Sequence, residues 1–388
     1  MKNNWPVKKL GEVSKVLSGS GFPLALQGKT DDTIPFYKVS DMNLKNNSVL
    51  MVDHNNSVSE EILKKMHYRT AGAGTIIFPK IGAAIATNKK RILTRNSLYD
   101  NNVMGIIPNE KEILAHYLYY LLIPFNLSVW ASKSNPPSIR KSTVEKFSFR
   151  IHPINIQKEI VNKLDTIRKM QELIDLRIQK TEELYKSIAN RELTKKTWDK
   201  KKIKDVAQIE SGGTPSTKVA EYWNGNILWL TPKELSDFDG VFINDTERKI
   251  TGKGLKNSSA KILPKGTVLL TSRAPIGYLA IADSEITTNQ GFKNIICDDK
   301  KINNRFLFYW LKINNNYVKS FGRGATFAEI NKYSTENILI DVPPLDMQIK
   351  IVEKFDEIQE YKKLLQKQKQ LYKELFDSVL DKSMKGEI

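Results

Sequence analysis

The segment Asn135-Pro136-Pro137-Ser138 is the nearest this chain comes to a catalytic motif. An Asn-Pro-Pro-aromatic run can hold a flipped adenine: the Asn side chain and a backbone carbonyl bind the target amine, and the aromatic face stacks on the base. Here Ser138 stands in the aromatic's place, and no glycine-rich loop for a methyl donor lies upstream, so the run reads as a turn. Glu247 and Lys249, with Asp237 and Asp239 upstream, echo the acidic cluster of a metal-dependent nuclease. A lysine-rich chain produces that pattern easily. His54, His67, His116 and His152 are scattered and suggest neither a triad nor a metal cluster. The single cysteine, Cys297, excludes an internal disulfide framework and a multi-cysteine zinc site. No Gly-x-x-x-x-Gly-Lys-Ser/Thr is present, so ATP binding is not expected. The sequence therefore points away from chemistry and towards recognition.

Charge gives the direction. The chain of 388 residues carries a net charge of +18. Residues 1–154 hold 21 basic and 11 acidic side chains, and residues 194–345 hold 23 and 16. Residues 155–193 hold 8 and 7, and residues 346–388 hold 9 and 9. Two basic bodies alternate with two neutral segments, and a polyanion such as DNA is their natural partner. A compositional bias towards Lys would not spare two segments. At 40% apolar and 27% charged the chain is an ordinary globular protein. MKNNWPVKKL lacks the apolar core of a signal peptide, and Leu114 to Trp130 is too short and interrupted to span a bilayer. A cytoplasmic protein is expected.

The elements that must position the basic side chains are written twice. Trp5 to Asp165 reappears, much changed, as Trp198 to Asp356, with an offset of 193 at the start and 191 at the end. The neutral segments have helical spacing. Ile160, Leu164, Ile167, Gln171, Ile174, Ile178, Thr181, Tyr185 and Ile188 alternate steps of four and three, the seam of a coiled coil. Ile351, Phe355, Ile358, Lys362, Leu365, Lys369, Tyr372, Phe376 and Val379 repeat that pattern. Pro153 and Pro343-Pro344 mark the helix starts. At 1.5 Å per residue each helix would be roughly 50–60 Å long, a spacer. The pattern leaves open a second arrangement, two amphipathic helices packed on separate cores. The basic segments read as mixed α/β. Gly74–Phe78 and Gly266–Leu270 look like buried strands, and Tyr117–Leu122 and Phe306–Leu311 like helix segments.

Several motifs resemble the specificity subunit of type I restriction–modification enzymes. They are SGGTPSTKVAEYWNGNILWLTPKEL (Ser211–Leu235), LPKGTVLLTSRAPIG (Leu263–Gly277), TTNQGF (Thr287–Phe292) and VPPLDMQIKIVEKF (Val342–Phe355). The first half departs more: FPKIGAAIATNKKR (Phe78–Arg91), DNNVM (Asp100–Met104) and HPINIQKEI (His152–Ile160) take the equivalent places. The resemblance implies an α+β fold with a pseudo-twofold internal repeat. Its expected parts are a first target-recognition domain at 1–154, a spacer helix at 155–193, a second recognition domain at 194–345 and a second helix at 346–388. The helices would form an antiparallel intramolecular coiled coil. Each domain would read one half of a bipartite double-stranded DNA target. Two methyltransferase subunits would dock near the helices, and a restriction subunit could join them. S-adenosylmethionine, ATP and Mg²⁺ would belong to those partners and none to this chain. A related two-subunit restriction system and a coiled-coil scaffold with two protein-binding heads are the alternatives.

Phosphate contacts come from Lys and Arg at loop tips, and base contacts from Arg, Lys, Asn and Gln. In the first half the candidates are Lys38, Lys80, Lys89, Lys90, Arg91, Lys133 and Arg140. In the second they are Lys233, Ser272, Arg273, Asn289, Gln290, Lys293 and Arg323, the last flanked by glycines. Asn289 and Gln290 have a competing role as amides that tie a loop to a strand.

Overall fold

The structure is a computed structural model that describes residues 5–193, 198–273, 275–324, 328–385 and 387. Residues 194–197, where the second recognition domain was expected to begin, and Ala274 of the LTSRAPIG motif lie outside the described residues. The chain divides into two compact units, 1–174 with 368–388, and 175–367.

Continuous apolar runs make the central strands. Ile76–Pro79 in the first unit and Val268–Thr271 in the second are buried throughout, as strands covered on both faces must be. In the first unit Ile76–Pro79 lies between Val103–Pro108 and Arg91–Leu93, antiparallel to both. Ser14–Ser18 and Leu50–Met51 complete the five-stranded sheet at its two edges. In the second unit Val268–Thr271 lies between Phe292–Cys297 and Leu279–Ala282, with Ala207–Ser211 and Phe242–Ile243 at the edges. Order and direction are the same. A three-stranded sheet accompanies each: Ser57–Val58, Ile34–Tyr37 and Leu98–Tyr99 in one, and Arg248–Ile250, Trp223–Leu230 and Thr287–Thr288 in the other. The repeat read from the sequence is thus a repeat of topology.

Both long helices form, at Ile154–Leu193 and Leu345–Lys385. Each unit contains a stretch of both. In the first unit Ile160 and Leu164 share a core with Leu380, with Phe376 and Val379 packed against it. Gln171 Nε2 donates to the Tyr372 carbonyl at 3.2 Å. In the second unit Ala189 and Leu193 share a core with Ile351 and Phe355, flanked by Tyr185 and Ile188. Glu182 pairs with Lys362 at 3.1 Å and Glu192 with Lys354 at 3.2 Å. Early residues of one helix meet late residues of the other, so the pair is antiparallel in both units. Ile167, Ile174 and Leu365 are buried and Ile178 and Ile358 half-buried, as seam positions should be. Lys369 is the exposed exception. The cores of the sheet domains also claim seam residues: Ile160 and Leu164 pack with Tyr117 and Tyr120, from the helix Ala115–Leu122. Seam and domain core are therefore one apolar body in each unit.

A buried glutamine ties each domain to its helix. Gln157 Nε2 donates to the carbonyls of His152 (2.8 Å) and Glu112 (2.9 Å), and its Oε1 accepts from the Leu114 amide at 2.9 Å. Gln348 Nε2 donates to the carbonyls of Pro343 (2.8 Å) and Lys301 (3.2 Å), and its Oε1 accepts from the Asn303 amide at 2.7 Å. Both glutamines are fully buried, and only an amide supplies two donors and an acceptor in that arrangement. A tyrosine repeats the tie about two turns on: Tyr120 donates to Asp165, and Tyr309 to Asp356 Oδ1 at 2.8 Å.

The first half lacks one proline of the helix lead, and His152 stands there instead. Its carbonyl serves Gln157 as Pro343's serves Gln348. Its ring packs on Trp5 at 3.7 Å and meets the Tyr117 hydroxyl. Burial lowers its pKa from the ordinary 6.5 to about 4. A base that must stay neutral in the fold but protonates freely when unfolded costs stability as pH falls. That contribution is full above pH 6.5 and is lost as the pH drops towards 4. Chemical denaturation at pH 7 and pH 5 should show a loss of about 1–2 kcal/mol. The loss should shrink in His152→Gln, and equal pH dependence in both proteins would refute the assignment.

Candidate DNA-recognition surface

The central strand of each five-stranded sheet ends in a residue held by main chain on both sides. In the first unit this is Lys80. Its amide donates to the Asn102 carbonyl at 2.8 Å, and its carbonyl accepts from the Ile139 amide at 2.8 Å. In the second unit it is Ser272, which donates to Gly291 at 2.7 Å and accepts from Ile330 at 2.9 Å. Two loops meet at each strand end. One is Asp100–Asn102 or Asn289–Gly291, anchored by a bond from the Asp100 amide to Tyr37 or from the Asn289 amide to Leu230. The other is closed by a bond from the Ser132 amide to Ser138 or from the Arg323 amide to Glu329. A glycine seats the first loop. A Cβ on Gly19 would stand 2.0 Å from the Asp100 carbonyl oxygen, and one on Gly212 would stand 1.9 Å from that of Asn289. No other residue fits there.

The main-chain plan is shared, and the side chains mounted on it differ. Lys80 takes the place of Ser272 in the repeat, Asp100 that of Asn289, Asn101 that of Gln290, Ser132 that of Arg323 and Ser138 that of Glu329.

Six of the seven second-half candidates converge on this cradle. Lys293 Nζ donates to Ser272 Oγ at 3.2 Å and lies 3.4 Å from Glu329 Oε1. Arg273 Nη1 lies 3.8 Å from Glu329 Oε2. Arg323 is exposed on the loop closed by Glu329. Asn289 Oδ1 accepts from the Gly291 amide at 2.9 Å, and Gln290 Oε1 accepts from Thr214. Both amides thus do some of the loop-tying work named as their competing role. Lys233 is exposed on the turn Pro232–Leu235, and Pro232 abuts Gly291. Ser272 and Lys293 are buried, so in the free chain their polar groups serve the cradle from beneath. Burial lowers the Lys293 pKa, and Glu329 opposes the shift.

In the first half Lys80, Lys133 and Arg140 belong to the cradle, and Lys38 sits on the neighbouring turn. Lys133 and Arg140 are exposed. Lys38 is half-buried, with its Nζ on Gln27 Oε1 at 3.0 Å. Lys80 is half-buried, and burial lowers its pKa while nearby Asp100 opposes the shift. Lys89, Lys90 and Arg91, also expected at DNA, have partners within the fold. Lys90 is buried, its Nζ donating to the Phe125 carbonyl at 2.6 Å and to Asn88 Oδ1 at 2.9 Å, and its pKa falls to about 8. Arg91 donates to the carbonyls of Asn47 and Met42. Lys89 donates to Asn43. These three cations tie the 39–47 segment and the 125 loop to the sheet.

The carboxylates at the cradle were missed. Asp100 was legible only as part of the DNNVM counterpart to TNQGF. Glu329 lies in no recognised motif, and its role comes from the pairing of Arg273 and Arg323 with it. The nuclease-like set is dispersed: Lys249 pairs with Asp245 at 2.9 Å, and the Glu247 amide donates to Glu234. Among the described residues no group of three His, Cys, Asp or Glu could hold a metal ion, and no helix is long and apolar enough to cross a membrane.

Two cradles on one main-chain plan, each bolted to a long helix, define a duplicated recognition protein. The model of the type I restriction modification DNA specificity domain matches residues 2–183 and again 195–373, and the chain belongs to that family. Over 173 residues it is 46% identical to the type I restriction enzyme MjaIX specificity subunit of Methanocaldococcus jannaschii, a match that covers 43% of this chain and only 40% of that one. Over 410 aligned positions it is 23% identical to the putative type I restriction enzyme MjaX specificity subunit of the same organism, covering 99% and 94%. A solved structure from work on assembly and conformational transition of the type I restriction–modification system matches with a TM-score of 0.64 at 18% identity, over 100% of this chain and 99% of that one. The HsdS subunit from Thermoanaerobacter tengcongensis matches with a TM-score of 0.54 at 18% identity, over 100% and 98%. At such identities these two structures speak for the fold. The chain is a specificity subunit, a DNA-recognition part of an enzyme complex and not itself the enzyme.

Exposed cradle cations should act through phosphate. Lys133→Ala, Arg140→Ala and Arg323→Ala should each weaken binding at all DNA sequences and reduce the salt slope by about one. Lys90→Ala should lower stability and leave that slope unchanged. Binding isotherms between low and moderate salt test both, and an unchanged slope in all three exposed variants would remove the cradle from the DNA face.

Proposed function

We propose that each unit reads one half of a bipartite double-stranded DNA target and that the helix pair fixes the gap between halves. The observation that carries this is the repeated cradle: one main-chain frame holds two different sets of polar side chains. Two readers of different sequences need a constant frame with variable base-contacting groups. The unbroken helices support the ruler. Forty residues at 1.5 Å each make a rod of about 60 Å.

The chain would supply the address, and methyltransferase partners would supply the chemistry. Apolar side chains stand exposed along both helices: Leu173, Leu176 and Leu184 on the first, and Tyr361, Leu364, Leu371 and Leu375 on the second. The latter four stand at steps of three, seven and four, which keeps them on one side of the helix and suits a docked partner better than water. In this reading two methyltransferase subunits dock there, with S-adenosylmethionine bound to them. A restriction subunit, with ATP and Mg²⁺, could join the same complex. The place of work is the cytoplasm, where the DNA lies.

A ruler can be lengthened. Inserting four residues into both helices at facing positions adds about 6 Å. At 3.4 Å per base pair the tolerated gap should grow by roughly one or two base pairs. Selection of bound or methylated sequences by the assembled complex measures the gap, and an unchanged gap would contradict the spacer role.

A further inference from the structure

Glu329 is a carboxylate set among basic groups of the second cradle, and it is fixed there from three sides. Its main chain pairs with Arg273 and with Arg323. Its Oε1 lies 3.4 Å from the Nζ of Lys293, whose side chain is only 6% exposed. Its own side chain is 41% exposed. Beside it stands the Arg273 guanidinium, 40% exposed, at 3.8 Å. That distance is too long for a hydrogen bond, so donor and acceptor are adjacent and neither consumes the other.

A fixed acceptor next to a free planar donor is the complement of one base-pair edge. In the major groove cytosine offers a single amino donor, and its guanine partner offers two acceptors, O6 and N7. A carboxylate accepts from the cytosine amine, and an arginine donates to the guanine pair of acceptors. Adenine also offers an amino group, but its N7 acceptor beside it would face the carboxylate unfavourably. The first unit has neutral Ser138 at this position and Ile81 in place of Arg273, so it cannot make the same contact.

We propose that Arg273 and Glu329 together read one C·G pair in the half-site bound by the second unit. The proposal rests on the two-half reading above and adds to it a named base pair and a named residue pair. Buried Lys293 is the positioning residue that keeps the carboxylate in place. Glu329→Gln conserves shape while replacing one acceptor oxygen with a donor, and its partly exposed position makes a folding defect unexpected.

The test is selection from random-sequence DNA by the full chain in complex with its methyltransferase. Wild type, Glu329→Gln, Arg273→Ala and Lys80→Ala are compared. The wild type should select a split motif with a C·G pair in the half that Lys80→Ala leaves unchanged. Glu329→Gln should cut the preference at that pair by about tenfold and leave the other half intact. Arg273→Ala should weaken the same pair, which keeps the test decisive even if the first variant misfolds. Overall tighter binding by Glu329→Gln with an unchanged motif would overturn the proposal, since the carboxylate would then only neutralise its neighbours. A wild-type half-site without C·G would overturn it too while sparing the two-half reading. Absence of any split motif in the wild type would overturn both.

Discussion

Both cradles depend on one constraint: the residue that ends the central strand is bonded through its own amide and carbonyl to two different loops. Lys80 and Ser272 occupy that place with nearly the same distances. Because only main chain is used, the side chain at the position carries no structural duty in the loop closure. Lysine in one repeat and serine in the other are then equally compatible with the frame. Glycine at 19 and 212 completes the constraint, since the loop carbonyl occupies the space a Cβ would need. The frame can stay while its contents change.

A second constraint couples that frame to the helices. Gln157 and Gln348 spend their amide bonds on two carbonyls and one amide that belong to the domain and to the helix lead. An unpaired buried amide would cost about 1–3 kcal/mol per lost partner, so the junction is stiff. In the proposed spacer role, such a junction would keep each domain from swinging on its helix.

Much of this was legible in the sequence because it repeats. The offset between Trp5 and Trp198 revealed the duplication, and the three-and-four spacing from Ile160 to Ile188 revealed the seam. Hydrophobic periodicity reports burial directly, so Tyr117–Leu122 and Phe306–Leu311 fell inside helices as expected. Charge reports no such thing. Lys90 and Arg91 looked like DNA contacts because they sit in a run of cations, but long aliphatic stems let them reach inward to the carbonyls of Phe125, Asn47 and Met42. Glu329 was invisible for the opposite reason: its importance lies in contacts with residues 36 and 56 positions away. The histidine at 152, where the second half has a proline, was visible as a departure of the first-half helix lead. It is harmless to the helix lead because the carbonyl is what the glutamine needs.

The central claim is that one chain specifies two separated half-sites. A map of methylated bases across the genome of the source cell, with and without this gene, tests it most directly. Loss of one motif made of two short blocks around a fixed gap is the result the structure leads us to expect. Loss of a single continuous motif, or of none, would contradict it.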